Sequence, residues 1–209
     1  MNMIIKVCGM RNSANIRALD SLDIDWMGFI FYSGSPRYVF DEDEAISCSK
    51  VKVGVFVNEQ LEEIARKAAK HRLDYIQLHG DESPDFCRRL KDAGYAVIKA
   101  FSVLSETDLQ KTSVYEPFVD YFLFDTKGDG YGGTGRCFDW SVLKAYRGNI
   151  PFLLSGGIGT EHVEALATFR HPLMAGIDLN SRFERSPAWK DTVEIAGFIT
   201  RLNDLLVKH

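Results

Sequence analysis

The sequence predicts an α/β protein whose eight parallel strands close into one (β/α)8 barrel, a single domain over residues 1–209. Three observations carry this reading: eight short apolar runs rich in β-branched and aromatic residues, a polar helix-period stretch after each, and no linker or composition break between them. Strands that alternate with helices pair in parallel through right-handed crossovers. At 209 residues the chain is short for such a barrel, which normally takes about 250. A doubly wound open sheet is the structural alternative.

The expected strands are 3–7, 26–31, 52–57, 75–78, 96–101, 121–124, 152–154 and 174–179. The expected helices are 13–22, 41–49, 59–71, 84–93, 105–112, 140–146, 160–169 and 187–207. Local chemistry agrees with several of them. Asn58 stands before the third helix, Ser83 and Pro84 open the fourth in the cap and first-turn positions, and Gly94 closes it. No repeat is visible in the residues themselves, only in the pattern.

Composition narrows the function. With 25 Lys and Arg against 29 Asp and Glu the formal charge is −4, and binders of nucleic acid or anionic membranes carry a basic face instead. Neither partner is expected. Cys8, Cys48, Cys87 and Cys137 show no C-x-x-C or zinc spacing, and a chain of this size needs no disulfide scaffold, so a reducing, cytoplasmic compartment is expected. The opening MNMIIKVCGMRN holds a short apolar run interrupted by lysine and reads as neither signal peptide nor membrane span. Oligomeric state stays open between monomer and homodimer.

Barrel enzymes work at the carboxyl ends of their strands, and chemically capable residues collect there. SGGIGT at 155–160 lies between an apolar run and a helical one, where glycines and helix N–H groups suit an anion. Asp178, Asn180 and Ser181 after strand eight form the other half of a phosphate site with Gly156 and Gly157, the bland reading being a plain turn and a polar loop. DTKGDGYGGTGRCFDW at 125–140 formally contains G-x-G-x-x-G, but it opens no helix in a first βαβ unit, so a closing lid fits better than a dinucleotide site.

Two side chains suit proton transfer. Cys8 ends the first strand, and Lys6 shares its face, either favouring the thiolate or pairing with Asp178 on the strand that would close against it. Asp125 ends strand six across the barrel, where it can act as a general acid or simply cap the glycine loop. Arg37, set by Pro36, suits a substrate carboxylate, and His79 is a rim candidate that more often serves as a structural hydrogen-bonding histidine. No metal-ligand cluster and no G-x-S-x-G elbow occurs. The residues read as a site for a phosphorylated small molecule that needs no metal and no cofactor.

KVCGMR at 6–11, GFIF and SPRYV within 28–39, VGVFVN at 53–58, IQLHGDE at 76–82, FDT and GGTGRCFDW within 124–140, SGGIG at 155–159 and GIDLNSRFE with KD within 176–191 resemble, in order, the signatures of phosphoribosylanthranilate isomerases. The resemblance spans nearly the whole chain. It implies a TIM barrel and an Amadori rearrangement in tryptophan biosynthesis, which turns N-(5-phosphoribosyl)anthranilate into 1-(2-carboxyphenylamino)-1-deoxyribulose 5-phosphate. It further implies Cys8 as general base at C2′, Asp125 as general acid at the ring oxygen, Arg37 at the anthranilate carboxylate, and phosphate at Gly156, Gly157, Asp178, Asn180 and Ser181.

One departure stands out. The family often has glycine where this chain has Arg182, and a positive φ there would cost an arginine about 1 kcal/mol or more. Two rivals remain. A Schiff-base aldolase would need a lysine at a strand end, for which Lys99 is the candidate, and a silent binding barrel would need no Cys8 or Asp125.

Overall fold

The computed structural model describes residues 3–125 and 140–207. Its strands are β1 Ile4–Cys8, β2 Trp26–Ile30, β3 Val51–Phe56, β4 Tyr75–Leu78, β5 Ala96–Ser102, β6 Tyr121–Asp125, β7 Phe152–Ser155 and β8 Met174–Leu179. Each pairs in parallel with the next, and β8 closes on β1 with Lys6 opposite Asp178. That last ladder excludes the open sheet.

Alternate residues of a strand face opposite sides, and here the two sides are two cores. Ile5, Val7, Phe122, Phe124, Ile177 and Leu179 join the large core under the helices. Trp26, Val53, Ile98, Ala100, Leu123 and Leu153 fill the barrel. The same alternation turns Lys6, Cys8, Gln77, Asp125 and Asp178 inward.

A repeat does exist at the residue level, at the amino-terminal face. Asp25, Asp74 and Asp120 immediately precede β2, β4 and β6. Each donates its amide to the carbonyl of Ile5, Lys52 or Val97 on the preceding strand. Each also accepts that residue's N–H on its carboxylate at 2.7–2.8 Å. The next residues are Trp26, Tyr75 and Tyr121, whose rings pack on one another with centroids 4.8–5.9 Å apart. Three Asp–aromatic pairs thus tie neighbouring strands and plug the barrel floor. β7 and β8 lack the device, since Leu173 holds the equivalent place.

The helices are α1 Ser13–Asp20, α2 Leu61–His71, α3 Pro84–Asp92, α4 Glu106–Leu109, α5 Val163–Thr168 and α6 Thr192–Leu206. Asn12, Ser83 and Asp191 cap α1, α3 and α6 with side-chain oxygens. The expected helices at 105–112, 140–146 and 160–169 are partly or wholly 3-10 turns.

The expected helix at 41–49 does not form. Four successive carboxylates at 41–44 repel along a helix, and the segment is tethered by other means. Asp41 accepts from Arg66 and Lys67, Ile46 N–H donates to His71 Nδ1, and Ser49 N–H donates to Asp20. A cavity of about 770 Å³ opens there against α1, outside the barrel mouth. The expected helix at 187–207 begins instead as a hairpin, β9 Glu184–Ser186 and β10 Trp189–Lys190, with Ala188 at φ 65° in its turn. Arg182 takes no positive φ. In this segment the left-handed residue is Ala188; elsewhere Asn58 and Arg72 also take positive φ.

Candidate active site

Cys8 and Asp125 are the final residues of β1 and β6, one position later than the apolar runs suggested. Both are buried and face inward at the barrel's carboxyl-terminal end. A Cβ on Gly28 would stand 2.6 Å from Cys8 Sγ, so β2 carries glycine where the thiol leans on it. Gly9 follows with φ 81°, and a Cβ there would strike Arg37 Cδ at 2.6 Å and Asn180 Oδ1 at 2.9 Å. Glycine at 9 therefore lets Arg37 and Asn180 approach next to Cys8.

Beneath the thiol, Lys6 Nζ lies 3.0 Å from Asp178 Oδ1 with both side chains buried. Burial opposes the lysine's charge, yet Asp178 and Cys8 together hold its pKa above the ordinary range. Burial also pushes the Cys8 thiol up, against the opposing pull of Lys6. Both sequence-level alternatives for Lys6 are met at once, since it pairs with Asp178 and faces Cys8. The Asp178 carboxylate is committed to that lysine.

Arg37 reaches the same side. Its backbone amide is fixed by Ser35 Oγ, and its Nε and Nη2 grip Glu184 in a two-pronged pair. Glu184 also accepts from Lys190 Nζ at 2.7 Å, and Lys190 in turn holds Asn180 Oδ1 at 2.6 Å. Burial works against the Glu184 charge, but Arg37 and Lys190 draw its pKa below the usual carboxylate range. Asn180 is left with its amide N–H groups to offer an anion. Gly156 and Gly157, at φ 103° and 63° after β7, and the exposed Ser181 after β8 complete that rim.

His79 follows β4 directly. Its Nε2 stands 3.6 Å from Asp125 Oδ2, and its Nδ1 lies 3.1 Å from Gln77 Nε2. Lys99, by contrast, lies on the outer face of β5 between Val97 and Phe101. There it is held by the Leu78, Gly80 and Ala100 carbonyls and by Glu82 at 3.2 Å. It cannot reach a substrate inside the barrel. The proposed lid, with Gly128, Gly130 and Gly133, lies outside the described residues.

Residues 5–201 match the family model for N-(5'phosphoribosyl)anthranilate (PRA) isomerase. The chain belongs to the N-(5'-phosphoribosyl)anthranilate isomerase family. It is 52% identical over 206 residues to N-(5'-phosphoribosyl)anthranilate isomerase of Parabacteroides distasonis, covering 96% of this chain and 93% of the relative. It resembles the crystal structure of phosphoribosyl anthranilate isomerase from Thermotoga maritima with a TM-score of 0.83 at 33% identity, covering 97% of this chain and all of that one. A further phosphoribosyl anthranilate isomerase structure is a complex with reduced 1-(o-carboxyphenylamino)-1-deoxyribulose 5-phosphate. It matches with a TM-score of 0.81 at 31% identity over 97% of this chain and 100% of that one. This isomerase is an enzyme on a TIM barrel.

Sequence reasoning counted Glu184 among the polar residues after strand eight without giving it a role and passed over Lys190; the isomerase places both beside Arg37 and Asn180. A signal was present. Pro187 and Ala188 between Glu184 and Lys190 fit a tight turn, and Asp191 three residues before Glu194 marks a helix start. Reading 187–207 as one helix hid the hairpin that brings the two charges together.

Proposed function

We propose that this isomerase converts N-(5-phosphoribosyl)anthranilate to 1-(2-carboxyphenylamino)-1-deoxyribulose 5-phosphate, with Asp125 as general acid and Cys8 as general base. Asp125 gives its proton to the furanose oxygen as the C1′–O bond breaks, leaving a Schiff base. The Cys8 thiolate then takes the C2′ proton, and the electron pair forms the C1′–C2′ double bond of an enolamine. Tautomerisation of that enolamine yields the ketone.

The observation that supports this reading is a thiol, Cys8, and a carboxyl group, Asp125, at the inward carboxyl ends of the non-neighbouring strands β1 and β6. Such a pair serves proton delivery to one atom and removal from another. Substrate charge has matching ground. Arg37 spends Nε and Nη2 on Glu184, which leaves its Nη1 side for the anthranilate carboxylate. Gly156, Gly157, Ser181 and the Asn180 amide take the phosphate, while Asp178 supports the site through Lys6. His79 serves the substrate side beside Asp125.

A phosphorylated small molecule is the partner this reading requires. Cytoplasmic residence in tryptophan biosynthesis accompanies it, supported by free thiols at Cys8, Cys48 and Cys87. No described helix is long and apolar enough to cross a membrane.

The test is kinetic. Cys8→Ser and Asp125→Asn should each lower kcat by about 10²–10⁴-fold, the usual worth of a positioned proton-transfer group, with KM little changed. Near-normal turnover by the double variant would overturn the assignment.

A further inference from the structure

The wall around Cys8 carries five charged side chains. Lys6 lies on β1, Asp178 on β8, Arg37 in the β2–β3 connection, and Glu184 and Lys190 on the hairpin. Across the mouth stand His79 and Asp125. Lys6 is matched by Asp178. Glu184, however, is shared by two cations, Arg37 and Lys190. Three positive groups against two negative ones leave these five side chains one positive charge in excess, with the Asp125 carboxyl group across the mouth.

We propose that Lys190 is a positioning residue for the general base: its buried ammonium, held by Glu184 and Asn180, supplies the unbalanced positive charge that stabilises the Cys8 thiolate. The inference rests on the reading of Cys8 as base. Lys190 is 1% exposed, so solvent screens it less than a surface charge and its field is felt over several ångströms. Its Asn180 partner packs against Gly9, next to Cys8. Burial draws the Lys190 pKa below the ordinary lysine range and pushes the Cys8 thiol up; against that, Glu184 and Cys8 favour the ammonium, and the ammonium favours the thiolate. A sulfur proton acceptor depends on such a cation, because its own charge must be present before the C2′ proton can leave.

Two substitutions should act in opposite directions. Lys190→Met removes the excess cation and should raise the midpoint of Cys8 ionisation by about one pH unit. Glu184→Gln keeps the shape and the acceptor oxygen but removes an anion, and should lower the midpoint by a similar amount. The midpoint is read from the ultraviolet thiolate absorbance, taken as the difference between each variant and the same variant carrying Cys8→Ala. Circular dichroism verifies folding. Glu184→Gln decides alone if Lys190→Met does not fold.

Opposite shifts of the thiolate midpoint support the proposal, and midpoints unchanged in the folded variants overturn it. The rising limb of kcat/KM with pH is measured on the same proteins. A limb that ignores a shifted thiolate midpoint would show instead that Cys8 is not the base, leaving the electrostatic role of Lys190 standing.

Discussion

Lys6 Nζ and Asp178 Oδ1 meet 3.0 Å apart at the one ladder that joins the first strand of the barrel to the last. The pair is 172 residues apart in the chain and sealed from water, so each charge depends on the other. Removing one partner of a buried ion pair strands the other, at a cost of about 3–5 kcal/mol, whereas replacing both by apolar residues costs far less. Urea unfolding of Asp178→Leu should show that large loss. The double variant Lys6→Met/Asp178→Leu should recover most of it.

Arg37 is expected to act on binding more than on chemistry. A hydrogen-bonded pair with a charged carboxylate is worth about 1.5–3 kcal/mol, so Arg37→Gln should raise KM by roughly ten- to a hundredfold with a smaller effect on kcat. A substrate analogue lacking the anthranilate carboxylate should lose a similar factor with the unmodified enzyme. With Arg37→Gln it should lose nothing further.

The amino-terminal floor should matter for stability alone. Asp120 accepts from Val97 N–H and from Lys91, and it is half-buried. Asp120→Ala should cost about 1–2 kcal/mol in urea unfolding, while kcat/KM stays unchanged because the site lies at the opposite end of the barrel. A matching fall in catalytic efficiency would contradict this division of labour.

His71 should make the protein acid-sensitive. Burial pushes its pKa down to about 4 from 6.5, and its neutral Nδ1 accepts from Ile46 to anchor the segment that fails to become a helix. The folded state therefore resists a proton that the unfolded chain accepts, so the stabilisation is present above pH 6.5 and is lost as pH falls towards 4. The loss amounts to at most about 3 kcal/mol. Urea titrations between those limits should show a steeper decline for the natural protein than for His71→Gln, which keeps an acceptor and cannot protonate.

Local signals carried much of this protein. Strand positions were readable because each barrel strand is buried on both faces and so appears as a short apolar run, and Cys8, Asp125 and Arg37 were readable as reactive types at the ends of such runs. The cap at Ser83 and the stop at Gly94 were equally local, whereas Asn58, read as standing before α2, is not its cap, since Gln60 holds that position. The missing helix at 41–49 was not readable, because what replaces it is long-range: Asp41 answers to Arg66 and Lys67, and Ile46 to His71. The floor repeat likewise became visible only when Trp26, Tyr75 and Tyr121 were seen to touch.

Apart from Lys6 with Asp178, which the sequence offered as one of two alternatives, charge pairing belongs to the tertiary structure. The sequence by itself determined eight strands and the reactive residues at their carboxyl ends, Cys8 and Asp125 among them, since periodicity and residue chemistry act over a few positions. Only barrel closure decided that Asp178 serves Lys6, that Arg37 and Lys190 share Glu184, and that Lys99 faces away from the site. Such pairings depend on distance in space between residues far apart along the chain, and no local pattern encodes that distance.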